Sequence, residues 1–179
     1  MDPKEVLKEM LRQRGVNVDD TSTLESDLPG ETTKVGDYLV HFSSKSRISP
    51  DNLTEILDVM KSAGATRVII VVDTPPSSVI LNLIRKNSDT VQLFHTKQLL
   101  FDITTHRKVP AHRILSNEEK AAFLERYRAN TEFMPAIDSQ DPMAKWIGAR
   151  PGDIVEILRR SETAASTPYY RVCVANTSL

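Results

Sequence analysis

Arg67-Val68-Ile69-Ile70-Val71-Val72 is the stretch whose reading decides the fold. It is β-branched and apolar without alternation, the mark of a strand buried on both faces. Such a strand requires a sheet with helices packed over it, and the flanking sequence supplies them. Upstream, Ser49-Pro50 is a cap followed by a first-turn proline; Leu53, Ile56, Leu57 and Met60 form one stripe, and Gly64 closes the helix. Downstream, Asp73 to Ser78 turns the chain, with Pro75 near the start of a helix that carries Val79, Ile80, Leu83 and Ile84. Val91 to Phe94 reads as the following strand and Tyr38-Leu39-Val40-His41-Phe42 as the preceding one. Asp2-Pro3 opens a first helix with Val6, Leu7, Met10 and Leu11 on one side and Gly15 at its end. Between that helix and Tyr38, residues 19–34 are polar and turn-rich and read as a loop. Helix and strand therefore alternate three times, an α/β pattern.

The character changes after Phe101. Asp102 to His106 reads as a strand leaving the first domain, and Val109-Pro110 punctuates it. Ser116 with Glu119 is a capping box for a helix whose face is Phe123, Leu124 and Tyr127. Asp141-Pro142 starts a short helix containing Met143, Ala144 and Trp146, which Gly148 ends. Ile154 to Leu158 and Tyr169 to Val174 read as two strands joined as a hairpin across the polar stretch from Ser161 to Pro168. Two domains are expected, residues 1–105 (α/β, a small mixed sheet with flanking helices) and 106–179 (a small α+β unit), with the boundary near 102–110.

With 179 residues, a net charge of −1 and pI near 6.4, the chain has no global basic field to draw it onto nucleic acid or anionic lipid. The lone Cys173 excludes an internal disulfide and a cysteine-based zinc site. No apolar run approaches a membrane span and no basic-then-apolar leader opens the sequence, so a soluble intracellular protein is expected.

Chemistry is sparse. His106 and His112 stand six apart with no Glu between them, which is not a metalloprotease pair; structural or interface roles suit them better. Asp73 ends the buried strand, where α/β folds often keep catalytic groups. It lacks a glycine-rich phosphate loop or a nucleophile elbow beside it, and it or Thr74 is expected to cap the next helix. Asp37 with Ser43-Ser44-Lys45 resembles part of a metal-dependent nuclease site, but the second strand's carboxylate-x-lysine pair is missing. No catalytic residue, metal site or cofactor is expected. Arginines instead gather with aromatics toward the C-terminus: Arg150, Arg159, Arg160 and Arg171 with Trp146, Tyr169 and Tyr170. That is the usual composition of interface anchors, and a core position is the alternative for Trp146.

These residues fall into a recognisable order. Val109-Pro110-Ala111-His112 precedes Asn117-Glu118-Glu119, Leu124-Glu125-Arg126-Tyr127 and Met134-Pro135. Then come Asp141-Pro142-Met143-Ala144-Lys145-Trp146-Ile147-Gly148, Arg150-Pro151-Gly152-Asp153-Ile154-Val155, Arg159-Arg160-Ser161-Glu162-Thr163-Ala164 and Tyr170-Arg171-Val172. The series resembles the C-terminal assembly domain of the fifth-largest subunit of nuclear DNA-directed RNA polymerases, a domain whose archaeal equivalent is a small polymerase subunit without the jaw. Ala65 to Val72 and Leu99 to Thr104 resemble more weakly the jaw domain found in eukaryotes. Arg160 stands where that family favours proline, and Ala165 where a glycine usually follows.

The resemblance implies a subunit that is not an enzyme on its own. Its C-terminal domain would dock on the largest polymerase subunit through His112, Trp146, Arg150, Arg159, Ser161, Glu162, Thr163, Tyr170 and Arg171. Its N-terminal domain would form part of the lower jaw near a weakly contacted downstream DNA duplex, with Lys45, Arg47 and, just past the domain boundary, Arg107 as the DNA-proximal residues. Other polymerase subunits are the remaining partners; no membrane, small-molecule substrate or cofactor is implied. An abbreviated two-domain version points to a divergent eukaryote, with nuclear localisation, or to a large DNA virus, with a cytoplasmic factory or virion.

Overall fold

In the computed structural model, residues 2–25, 28–44, 47–128, 130–159 and 166–175 are described. The chain divides into two compact units, Met1–Asp102 and Ile103–Leu179.

Unit 1 is built on a five-stranded mixed sheet, β1 (Thr21–Leu24), β2 (Gly30–Val35), β3 (Tyr38–Ser43), β4 (Arg67–Val72) and β5 (Val91–His95), lying in chain order. The pairs β1–β2 and β2–β3 are antiparallel, while β3–β4 and β4–β5 are parallel. Helices α2 (Pro50–Ser62) and α3 (Ser78–Lys86) make the two crossovers. Val68 to Val72 are all buried, as a strand covered on both faces must be. One face, with Leu39, Val68, Ile70, Val91 and Leu93, packs on Leu53, Ile56 and Met60 of α2 and Ile80 and Ile84 of α3. Helix α1 (Pro3–Gln13) meets the opposite face: Arg14, its C-cap, stacks 5.4 Å from the Tyr38 ring and donates to Gln92 Oε1 at 2.8 Å. Burial in that position lowers the Arg14 pKa to about 10 despite the neighbouring Tyr38.

The local signals at these helices act as expected. Asp2 and Ser49 accept from backbone N–H groups ahead of Pro3 and Pro50. Helix α3 is capped by Ser77, not by Asp73 or Thr74; the Asp73 carboxylate instead accepts from the Thr96 hydroxyl at 2.5 Å. The stretch read as a loop over 19–34 holds β1 and β2. Their side chains range from exposed to buried without regular alternation and carry no apolar run; β1 is the outermost strand and β2 lies next to it. Threonine supplies the β-branching there: Thr32 is buried and its hydroxyl meets His41 Nδ1 at 2.9 Å. Burial lowers the His41 pKa.

Unit 2 carries a four-stranded sheet in the order β6 (Ala111–Ile114), β8 (Ile154–Arg159), β9 (Thr167–Val174) and β7 (Ala136–Asp138). The β6–β8 and β8–β9 pairs are antiparallel and β7–β9 is parallel. The two strands expected to form a hairpin pair antiparallel as β8 and β9, and the stretch 160–165 between them lies outside the described residues. The expected strand over 102–106 is not: Ile103–Thr105 is a single 3-10 turn. The strands β6 and β7 did not announce themselves, since one reads Ala-His-Arg-Ile and the other is three residues long. Helix α5 (Pro142–Ile147) is capped by the Asp141 carboxylate and ended by Gly148 at φ +77°. Its Ala144 joins Ile137, Ala149, Val155, Ile157 and Cys173 in a small core. Helix α4 (Asn117–Tyr127) has the capping box at Ser116 and Glu119 but buries no residue. Among the described residues no helix is long and apolar enough to cross a membrane.

Candidate docking surface

Strand alternation sorts the side chains of unit 2 onto two faces. On one face lie Ile114, Val155 and Arg171, then His112, Ile157 and Tyr169, then Arg159 and Thr167. On the other lie Arg113, Glu156 and Tyr170, then Ala111, Leu158 and Pro168. Each face has its own chemistry.

The first face holds a cation–aromatic stack. The guanidinium carbons of Arg159 and Arg171 sit 5.1 and 5.3 Å from the centre of the Tyr169 ring. Arg171 also donates to the Ala136 carbonyl at 2.7 Å, which ties the stack to β7, while Arg159 is exposed. An exposed contact of this kind contributes roughly 0.5–1 kcal/mol. It also holds two long side chains beside one ring, which restricts their rotamers in the chain by itself. His112 is half-buried at the edge of this face, its Nδ1 2.8 Å from the Pro110 carbonyl oxygen.

The second face is organised by Arg113, which donates to both Glu119 carboxylate oxygens at 2.7 and 2.8 Å and to Glu156 Oε2 at 2.8 Å. Hydrogen bonds to these two carboxylates raise the Arg113 pKa, and Arg113 lowers that of Glu119. Phe123 stacks between Tyr127 and Tyr170 at 4.8 and 4.5 Å, and the Tyr170 hydroxyl donates to Glu156 Oε1. Burial, then Glu156, push the Tyr170 phenol up.

The expected site residues are therefore distributed rather than gathered. His112, Arg159 and Arg171 share a face; Tyr170 is on the opposite one, and Tyr169 takes the place expected of it. Trp146 is 1% exposed and belongs to the core. Arg150 is exposed in the turn after α5, its backbone N–H donating to Asp153 Oδ2. Ser161, Glu162 and Thr163, with Arg160 and Ala165, lie outside the described residues, as does Lys45. Arg47 is exposed between β3 and α2 in unit 1, whereas Arg107 belongs to unit 2. Choosing Tyr169 over Tyr170 needed the β8–β9 register; the clue available in sequence was that Tyr169 and Arg171 are two apart on a strand.

His106 Nδ1 accepts from the Lys108 N–H, and the Asp37 carbonyl accepts from the N–H groups of Thr66 and Arg67. Among the described residues no three His, Cys, Asp or Glu side chains are placed to hold a metal ion.

Residues 101–173 match the family model described as RNA polymerase Rpb5, C-terminal domain. The chain is 34% identical over 139 residues to a protein of Dictyostelium discoideum named DNA-directed RNA polymerases I, II, and III subunit rpabc1, covering 75% of this chain and 71% of that one. It is 54% identical over 74 residues to DNA-directed RNA polymerase subunit Rpo5 of Pyrococcus abyssi, 41% of this chain and 90% of the relative. The RPABC1 protein of Caenorhabditis elegans is 34% identical over 137 residues, with 75% and 65% covered.

Proposed function

This chain belongs to the Rpb5 family of DNA-directed RNA polymerase subunits, and on that premise we propose that it is a non-catalytic subunit whose unit 2 docks on the largest subunit of the polymerase. The observation that carries the reading is the Arg159–Tyr169–Arg171 stack. It is a preorganised cationic and aromatic patch, suited to carboxylates and backbone carbonyls of another protein. Nucleotide transfer then belongs to other subunits, and this chain works where its polymerase works, the nucleus in a eukaryotic cell.

Unit 1 forms part of the lower jaw, near downstream DNA, without gripping it. Residues 1–102 carry 12 basic against 15 acidic side chains, whereas residues 103–179 carry 11 against 9. An acidic unit gains no counterion-release affinity for a duplex, so contact there is confined to single side chains such as Arg47.

The test is affinity purification of the tagged full chain from cells that express its polymerase. Recovery with a many-subunit transcribing complex is the expected result, and recovery of the free chain alone under gentle conditions overturns the reading. Arg159→Glu should lower incorporation several-fold while leaving the folded chain's Trp146 emission unchanged. Unaltered incorporation removes the stack from the interface.

A further inference from the structure

Among the described residues, three cations converge at one end of the unit 2 sheet with no acid in the lining. Arg107, Lys108 and Arg159 line a groove whose apolar surface is Val109, Pro110, Ala111 and Leu158. Leu158 is 43% exposed, a large apolar side chain presented to solvent. Among the described residues none of the three cations meets a carboxylate, and Arg159 rests on the Tyr169 ring. Arg113, in neighbouring β6, behaves differently and satisfies itself with Glu119 and Glu156. The groove is also held in shape: the Lys108 and Val109 N–H groups donate back to His106 at 3.2 and 2.9 Å.

The groove opens at the start of an edge strand. Among the described residues β6 pairs only with β8, and Leu115 N–H donates to the Ile154 carbonyl. In an antiparallel pair the inward groups alternate, so residues 111 and 113 also face β8, and the N–H and C=O groups of His112 and Ile114 point outward. An edge of this kind takes a strand from another chain, with backbone bonds supplying affinity and flanking side chains supplying selectivity.

We infer that this groove and edge receive an extended acidic polypeptide segment, laid along β6 with its carboxylates over Arg107, Lys108 and Arg159. The segment's apolar residues seat on Leu158 and Pro110. The inference deepens the docking reading, on which it rests for the partner being a polymerase subunit. Its chemistry stands on the groove. A DNA duplex fits worse: its phosphates accept from N–H groups but donate nothing to the outward carbonyls of His112 and Ile114, and an apolar lining gives nothing to a phosphodiester backbone.

The experiment uses the full chain and a fluorescent ten-residue peptide of alternating Glu and Val, followed by anisotropy at low and high salt. Binding that weakens with salt is expected. It should fall about tenfold for the Arg107→Glu/Lys108→Glu double variant, whose side chains are exposed and outside both cores, and stay unchanged for Lys97→Glu in unit 1. The same peptide N-methylated at alternate residues should bind at least tenfold more weakly, because edge pairing is blocked. The inference is overturned by no binding, by equal binding of a Lys–Val peptide, by tighter binding of a DNA duplex, or by indifference to N-methylation. Peptide binding lost with co-purification intact sinks this inference alone; the reverse outcome sinks the docking reading alone.

Discussion

Replacing Gly30 by alanine should destabilise unit 1 and spare unit 2. Gly30 begins β2 opposite Ser43, with φ at +143°, a conformation that L side chains rarely adopt. A Cβ there would lie 2.1 Å from the Phe42 carbonyl oxygen and 3.1 Å from Ser43 Cα. Both obstacles are backbone, so no rotamer change relieves them and the end of the β2–β3 ladder must separate. The strained φ alone costs about 1–3 kcal/mol, and the displaced ladder brings the total to about 3 kcal/mol. For a unit of roughly a hundred residues this lowers the melting temperature by about 15 °C. The chain has one tryptophan, and Trp146 is buried in unit 2, so its emission reports that unit while far-ultraviolet circular dichroism reports both. In Gly30→Ala, part of the dichroism transition should move down by that amount while the Trp146 transition stays within about 2 °C of wild type. A wild-type dichroism profile would refute the Gly30 contact. An equal fall in both signals would refute the independence of the two cores.

Three further outcomes follow from ionisable groups and a cap. His41 is held below the ordinary histidine range by burial, so the folded state binds fewer protons than the unfolded one. Unit 1 should therefore lose stability as pH falls below about 6.5, and a urea midpoint that is flat from pH 7.5 to pH 5 would contradict this. Lys145, buried near Asp141, has its pKa lowered to about 8, so unit 2 should gain stability between about pH 8 and pH 10 as the folded form sheds its proton first. Urea denaturation followed by Trp146 emission at pH 7 and 9.5 checks the sign, which Lys145→Met should abolish. Ser116→Ala removes a two-sided cap from a helix that buries nothing, so it should cost about 1 kcal/mol and be read as faster amide exchange in α4. Unchanged exchange would show that the Arg113–Glu119 contact holds α4 without the cap.

Where the chain's local physics and its tertiary setting agree, the sequence was readable. The run at 67–72 is strand-like whichever face one considers, and the caps at Asp2, Ser49, Ser116 and Asp141 act within a few residues of themselves. Thr21 to Leu24 and Gly30 to Val35 were not readable, because the edge strand β1 needs no apolar run and β2 beside it is irregular in its burial. Asp102 to His106 misled in the opposite way: Ile103, Thr104 and Thr105 favour extension, yet their residues close a 3-10 turn. At the candidate docking surface the right residue types were visible, and Arg159 and Arg171 do share one face. The aromatic partner between them was set by inter-strand register, a long-range property that adjacent tyrosines cannot reveal. Trp146 posed the complementary ambiguity: a large aromatic suits an interface and a core equally, and only burial separates the two.

The position of β9 has a consequence for synthesis. It is an eight-residue interior strand of its sheet, bonded to β8 on one side and to β7 on the other, yet it is the last of the described elements to be made. A chain interrupted before Thr167 would leave β7 without its partner and Ile137 without Cys173 beside it. A prematurely terminated product would thus keep unit 1, show the outer surface of β8 to chaperones and proteases, and lack Tyr169 altogether. Among the described elements the same strand completes the small core and supplies Tyr169 and Arg171 to the candidate docking surface, so a product that stops before it lacks both.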